Sequence, residues 1–247
     1  GHPPVTRVHL DQTLVAHAEL ELPEPAHRHL IQVLRLRVGD TLTVFDGRGN
    51  EAPATLIAVE KRSSRIVLAA PTQPRVESPL HITLLQGVSK GDRMDYTLQK
   101  AVELGVTRIQ PLTTQRSVVK LDAARWAKKR DHWQGVIVSA CEQSGRTRLP
   151  PLLPVTALEA AVTALPGAAL KLALMPDQGV ALRSLTPPAE GIVLLVGPEG
   201  GLSPAETDAC RAAGFVAVQL GPRVLRTETA GVATLAALQA LWGDWAA

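Results

Sequence analysis

Ile192–Val196 is an unbroken run of five apolar residues bounded by Gly191 and Gly197. A strand with one wet face alternates apolar and polar side chains. A run that is apolar at every position must be covered on both faces. Similar segments recur at 81–86, 106–111, 170–175 and 215–220, and segments of helical period lie between them near 91–104, 122–143, 203–213 and 227–242. This alternation predicts an α/β domain with a mostly parallel sheet between helical layers.

The chain before His81 has a different texture. Short β-like runs at 41–45, 54–59 and 65–68 are separated by turn residues such as Asp46-Gly47-Arg48-Gly49-Asn50. They predict a small β-barrel or sandwich over 1–73 with one helix near 25–35. The proline-rich stretch 71–79 reads as a linker, and the second domain is expected over 74–247. Aromatic residues make up only 3% of the chain, so Leu, Val, Ile and Ala must build both cores.

Several function classes receive no support. Cys141 and Cys210 form no CxxC and no metal-ligand spacing, and His27 and His29 lack the further ligands a metal site needs. No metal is expected. No apolar run is long enough to cross a membrane and no secretory signal is visible, so the expectation is a soluble cytoplasmic protein. There is no GxSxG, no GxGxxG and no GK[ST] loop, which leaves hydrolase, nicotinamide oxidoreductase and phosphate-loop readings without a motif.

Charge is unevenly distributed. The net charge is +3, yet residues 80–150 hold 12 Lys/Arg against 6 Asp/Glu, and residues 151–247 hold 5 against 8. Arg outnumbers Lys 19 to 7. Guanidinium suits phosphate forks and base stacking, although a GC-rich genome explains the excess equally well.

Four segments carry candidate chemistry. In the first, the run ending at Gly197 passes through Gly197-Pro-Glu-Gly-Gly201 into a helix whose start is marked by Ser203, Pro204 and Glu206. That is a capping box behind a glycine-rich loop that lets backbone amides approach a ligand. The second has the same grammar, Val216 to Leu220, then Gly221-Pro-Arg-Val-Leu-Arg226 and a helix from about Thr227. Arg223, Arg226 and Glu228 gather at that helix start. The third, Gln86 to Met94, places Lys90 and Arg93 near a helix N-terminus, where phosphate is favoured. The fourth, Ser139 to Arg148, is a polar, Arg-bearing helix end. The basic run 125–130 reads as solvated surface, and the apolar positions Val232, Leu235, Leu238, Leu241 and Trp242 read as core or subunit contact.

At these residues the chain resembles the bacterial 16S ribosomal RNA uridine-N3 methyltransferases of the SPOUT superfamily. The resemblance rests on Gly197 to Gly201 together with Leu220 to Ala230. It extends to Gln99 to Gly105, Arg116-Ser-Val with Lys120, Ala140 to Arg146, Val33-Leu-Arg35, Gly39-Asp40 and Phe45-Asp-Gly47. It implies an N-terminal PUA-like β-barrel for RNA and a C-terminal α/β domain with a deep trefoil knot. The general rule against threaded connections would instead point to an unknotted doubly wound sheet. It also implies a homodimer acting on 16S ribosomal RNA or the small subunit, with S-adenosylmethionine as methyl donor.

Carried over by position, the donor loops are Leu195, Gly197, Glu199, Gly200 and Gly201, then Leu220, Gly221, Pro222, Val224, Leu225 and Thr229, with Met175 closing the pocket. Uridine N3 is protonated at neutral pH, so the proton must be removed or the resulting anion stabilised. Arg226 is the first candidate for stabilising the anion. Glu228 is the candidate to accept the proton or to orient Arg226, and Arg223 to bind phosphate. Charge plus resemblance assigns RNA contacts to Arg7, Arg28, Arg35, Arg37, Lys90, Arg93 and Arg146. Two other readings stay open: a SPOUT methyltransferase for another base or RNA, and a non-catalytic RNA-binding assembly factor.

Overall fold

The structure is a computed structural model describing residues 6–117, 119–167 and 169–246. The chain divides into two compact units. One comprises the chain up to Glu77 together with Cys141–Leu149, and the other comprises Ser78–Ala140 and everything from Pro150 onward.

The first unit is built on five strands: β1 (Arg7–His9), β2 (Glu19–Glu21), β3 (Thr41–Phe45), β4 (Glu51–Val59) and β5 (Ser64–Leu68). They hydrogen-bond in the order β1-β3-β4-β5-β2, antiparallel except for the parallel pair β1 and β3. Alternate side chains of β3, β4 and β5 point inward, so Leu42, Val44, Ala54, Leu56, Ile66 and Leu68 form one core with Leu10, Leu22 and Leu30. The helix expected near 25–35 is shorter and wider. A single α turn, α1 (Glu24–His27), runs into a π-helical segment, Arg28–Val33, and Arg35 closes it at φ +58°.

Two expectations about the boundary need correction. The stretch 71–79 is not a free linker. Thr72 exchanges two backbone hydrogen bonds with Glu51 at 2.7 and 2.9 Å, and Glu77 pairs with Arg146 at 2.8 Å. The boundary therefore falls after Glu77 and not after 73. Cys141–Leu149 also returns to the first unit, where Leu149 N–H donates to the Gly47 carbonyl at 3.0 Å.

The second unit carries a six-stranded parallel sheet: β6 (Ile82–Gly87), β7 (Arg108–Thr113), β8 (Thr156–Ala157), β9 (Leu170–Leu174), β10 (Ile192–Val196) and β11 (Val216–Val218). Their order is β11-β9-β10-β6-β7-β8. Every residue of β6 and β10 is buried, as expected of central parallel strands.

Five helices flank or follow these strands: α2 (Asp92–Glu103), α3 (Ala123–Ser144), α4 (Leu158–Thr163), α5 (Pro204–Ala212) and α6 (Thr227–Trp242). In α2, Met94, Thr97, Leu98, Ala101 and Val102 are buried at the spacing of one helical face, and Gly105 stops the helix at φ +84°. The predicted stripe on α6 is only partly core. Leu235 and Leu238 are buried beside Gly231 and Thr234, whereas Leu241 is exposed.

Candidate active site

Three loops leave the carboxyl ends of β9, β10 and β11, which are neighbours in the sheet, and enclose a cavity of about 370 Å³. Ligands of open α/β sheets sit in this position. Leu174, Val196, Leu202, Val218 and Leu225 give it apolar walls, and glycine backbone at Gly197, Gly201 and Gly221 supplies polar edges. Gly201 and Gly221 have φ of +72° and +75°, a region in which only glycine sits without strain.

The Gly197–Gly201 loop is held at both ends. A Cβ on Gly87 would lie 2.7 Å from Pro198 N, and one on Gly200 would lie 2.7 Å from the Arg116 carbonyl oxygen. Both glycines are thus required by close approach of one backbone to another. Behind the loop, the predicted capping box of α5 is present, with Glu206 N–H donating to Ser203 Oγ at 3.1 Å and Ser203 N–H to Glu206 Oε1 at 3.0 Å. Glu206 is buried, and its other oxygen accepts from Gln115 N–H at 3.1 Å, which ties the segment after β7 to the start of α5.

Glu199 lies on the cavity wall. Its Oε1 accepts from Lys90 N–H at 3.0 Å and faces Arg93 Nη1 at 3.3 Å. Burial alone would raise the Glu199 carboxyl. The Lys90 amide, its own amide and the Arg93 guanidinium outweigh that and hold it below the ordinary glutamate range.

Of the residues assigned to donor binding, Met175, Gly197, Glu199, Gly201, Leu220, Gly221, Pro222, Val224 and Leu225 line the cavity. Three do not. Leu195 is fully buried, on the sheet face that β10 packs together with Leu158, Ala161 and Cys210. Gly200 lines an adjoining cleft with Arg116, Asp177 and Thr207, and Thr229 is exposed on α6. The sequence reading missed Pro176 and Asp177, which follow β9 and line both cavities. No local motif marks them, and only their place after an apolar strand could have found them.

Arg223 lines the cavity, while Arg226 is the exposed N-cap of α6. Glu228, in the first turn of α6, is half-buried, and its Oε2 is sealed from solvent without a hydrogen-bond partner. Among the described residues no hydrogen bond or ion pair joins Arg226 to Glu228.

The residues assigned to RNA separate into two sets. Arg28, Arg35, Arg37, Lys90 and Arg93 are exposed, although Arg28 pairs with Glu24 at 2.8 Å and Arg93 with Glu199. Arg7 and Arg146 are spent internally. Arg7 donates to the carbonyls of Cys141, Glu142 and Arg146, pairs with Glu51 at 3.2 Å and covers the Phe45 ring at 4.4 Å. Arg146 is buried against Glu77. Both stand as structural ion pairs within the first unit, not as free surface charge.

Residues 76–239 match the family model of the RNA methyltransferase domain, and residues 22–69 match that of the RNA methyltransferase PUA domain. The chain belongs to the RNA methyltransferase family. Among solved members, the ribosomal RNA small subunit methyltransferase E of Neisseria gonorrhoeae, bound to S-adenosyl methionine, is 42% identical with a TM-score of 0.92, covering 98% of this chain and 100% of that one. A putative methyltransferase of Legionella pneumophila, also with bound cofactor, is 38% identical with a TM-score of 0.95 over 98% and 100%. The ribosomal RNA small subunit methyltransferase E of Mycobacterium bovis is 33% identical over 223 residues, covering 88% of this chain and 84% of its own. The family accounts for the pairing of a small β unit with a parallel-sheet unit. None of the helices described is long and apolar enough to cross a membrane.

Proposed function

We propose that this protein methylates 16S ribosomal RNA with S-adenosylmethionine as donor. The observation that carries the reading is the cavity at the ends of β9, β10 and β11, which gathers nine residues assigned to the donor from sequence. Its apolar walls suit an adenine ring, and its glycine edges suit backbone hydrogen bonds to a ribose. Gly200 and Gly87 keep the loop at a separation that a single methyl group would disturb. When bound, the donor supplies an electrophilic methyl group on a sulfonium.

The finer reading is N3 of a uridine. This chain's own task is then to make N3 nucleophilic. Arg226, exposed at the α6 N-cap, is assigned to stabilise charge on the uracil carbonyls as the N3 proton leaves. With no hydrogen bond or ion pair between Glu228 and Arg226 among the described residues, the clamp loses support and Glu228 keeps the assignment of proton acceptor. Arg223, on the cavity rim, is assigned to phosphate.

A homodimer and a knotted path belong to the same reading. Val224 is 98% exposed beside the cavity, an apolar side chain that a second subunit would cover. The loop after β9 bridges onto β11 through Val180 and Val218, and the chain then returns from β11 to pack α6 on α2 and β10. A threaded path accommodates that return.

Calorimetric titration with S-adenosylmethionine, using Gly200→Arg as control, tests the donor site. Micromolar-range binding that the substitution abolishes is expected, followed by mass-spectrometric mapping of the methylated nucleotide in ribosomal RNA. Absence of binding by donor and demethylated product alike would leave an RNA-binding assembly factor as the better account.

A further inference from the structure

The basic run on α3 is not a uniformly solvated face. Arg125, Lys128 and Lys129 stand at the i, i+3, i+4 spacing that puts side chains on one side of a helix. They line a groove of about 600 Å³ whose opposite wall is the start of α2, from Ser89 and Gly91 to Asp95. The floor is apolar: Met94 and Trp133 are buried, and Trp126 packs on Trp133 at a ring separation of 6.2 Å.

The charges in this groove do not cancel. Arg125, Lys128 and Lys129 make no side-chain hydrogen bond or ion pair among the described residues. Of the two carboxylates in the groove, Asp95 is engaged by His132 Nε2 at 2.7 Å, which leaves Asp92 against three cations. The N-terminus of the 12-residue α2 opens here behind Gly91, with no side chain capping it. An anion in the groove therefore meets three unpaired cations and a helix N-terminus together. The groove is also joined to the donor cavity, because Lys90, between Ser89 and Gly91, donates its amide to Glu199 on the cavity wall.

We propose that this groove holds the sugar–phosphate backbone of the RNA substrate, as a track leading from the α3 surface to the rim of the donor cavity. The inference rests on the RNA methyltransferase reading. It commits to nucleic acid because unpaired Arg and Lys at successive positions along one groove, beside a helix N-terminus, match a repeating phosphate.

The test uses the full chain and an in vitro transcript of 16S ribosomal RNA, with binding measured across a range of salt concentrations. Replacing Arg125, Lys128 and Lys129 together by Gln is expected to weaken binding and make the log–log salt dependence shallower by about two units or more. Lys128→Arg with Lys129→Arg should retain the wild-type slope, and circular dichroism should show the Gln variant folded. Donor affinity, measured in parallel, is expected to be unchanged. An unchanged salt slope in a folded variant that still binds donor overturns the groove assignment alone. Loss of donor binding in the unaltered protein overturns the underlying function instead. Polyglutamate competing with the RNA charge for charge would assign the groove to an acidic protein and also overturn the proposal.

Discussion

Replacing Gly200 by alanine places a methyl carbon 2.7 Å from the Arg116 carbonyl oxygen and 3.2 Å from Arg116 Cβ. A comfortable carbon–oxygen contact is about 3.3–3.6 Å, so one of the two backbones must retreat by roughly 0.6 Å or more. Neither contact is the free end of a flexible side chain. Forced overpacking of this kind costs about 1–3 kcal/mol. The strain falls on the loop that carries Glu199 and Gly201 into the cavity. If the loop yields, that energy appears as lost donor affinity of roughly five- to 150-fold, at about 1.4 kcal/mol per tenfold. Strain that the loop does not relieve appears instead as a fall in melting temperature of about 2–4 °C per kcal/mol for a chain of this size. Calorimetric titration with S-adenosylmethionine and a thermal melt read both quantities. Gly135→Ala is the control, because Gly135 lies within α3 with nothing within 4 Å of the added methyl. There the change should raise stability by about 0.5–1 kcal/mol and leave donor affinity untouched. Wild-type donor affinity in Gly200→Ala would refute the reasoning that this backbone contact sets the loop.

Glu206→Ala strands the buried amide of Ser203 and removes the acceptor of the Gln115 amide, so a loss of about 1–3 kcal/mol in chemical denaturation is expected, with Glu206→Gln milder. Glu199 is held below its ordinary value of 4.5, so its contribution to stability is full above that value and lost as pH falls through the lower folded-state value. Melting temperature plotted against pH should accordingly drop on the acid side less steeply in Glu199→Gln than in the natural chain, and identical profiles would count against the Lys90 and Arg93 contacts. Burial pushes both the Cys141 and Cys210 thiols up to about 11. Alkylation by iodoacetamide at pH 8 should therefore be slow in the native protein and rapid in denaturant, and fast native labelling of either thiol would contradict its burial.

The sheet of the second unit was legible because its signal is local. Ile192–Val196 declares a doubly covered strand at every position, and the Ser203 to Glu206 box announces α5 with the same hydrogen bonds the structure contains. β1 and β2 at three residues and β8 at two are too short to show a period, and α4 has fewer than two turns. Arg7 and Arg146 show a second limit. A guanidinium that binds phosphate and one that bridges buried carbonyls are the same residue type, and only partners distant in sequence distinguish them. Of the cavity at the ends of β9, β10 and β11, the two glycine loops carry a sequence signal, whereas Pro176 and Asp177 line it with no pattern of their own. The basic run 125–130 lies at the surface as its composition suggests, but its neighbours could not be read from the sequence. Helical spacing shows which residues share a face, but not that a second helix turns that face into a groove.

The return of Cys141–Leu149 to the first unit bears on how the chain is made. The Arg7 guanidinium finds three of its acceptors on the carbonyls of Cys141, Glu142 and Arg146, and Gly47 receives its bridge from Arg148. A nascent chain that has emerged only as far as Glu77 possesses all five strands of that sheet and none of those acceptors. At about 5–20 residues per second, the missing piece follows roughly 4–14 seconds later, after most of α3 has been made. The amino-terminal unit thus comes first in sequence and is completed only with the middle of the second, so that a gene fragment ending near Glu77 encodes an unfinished domain.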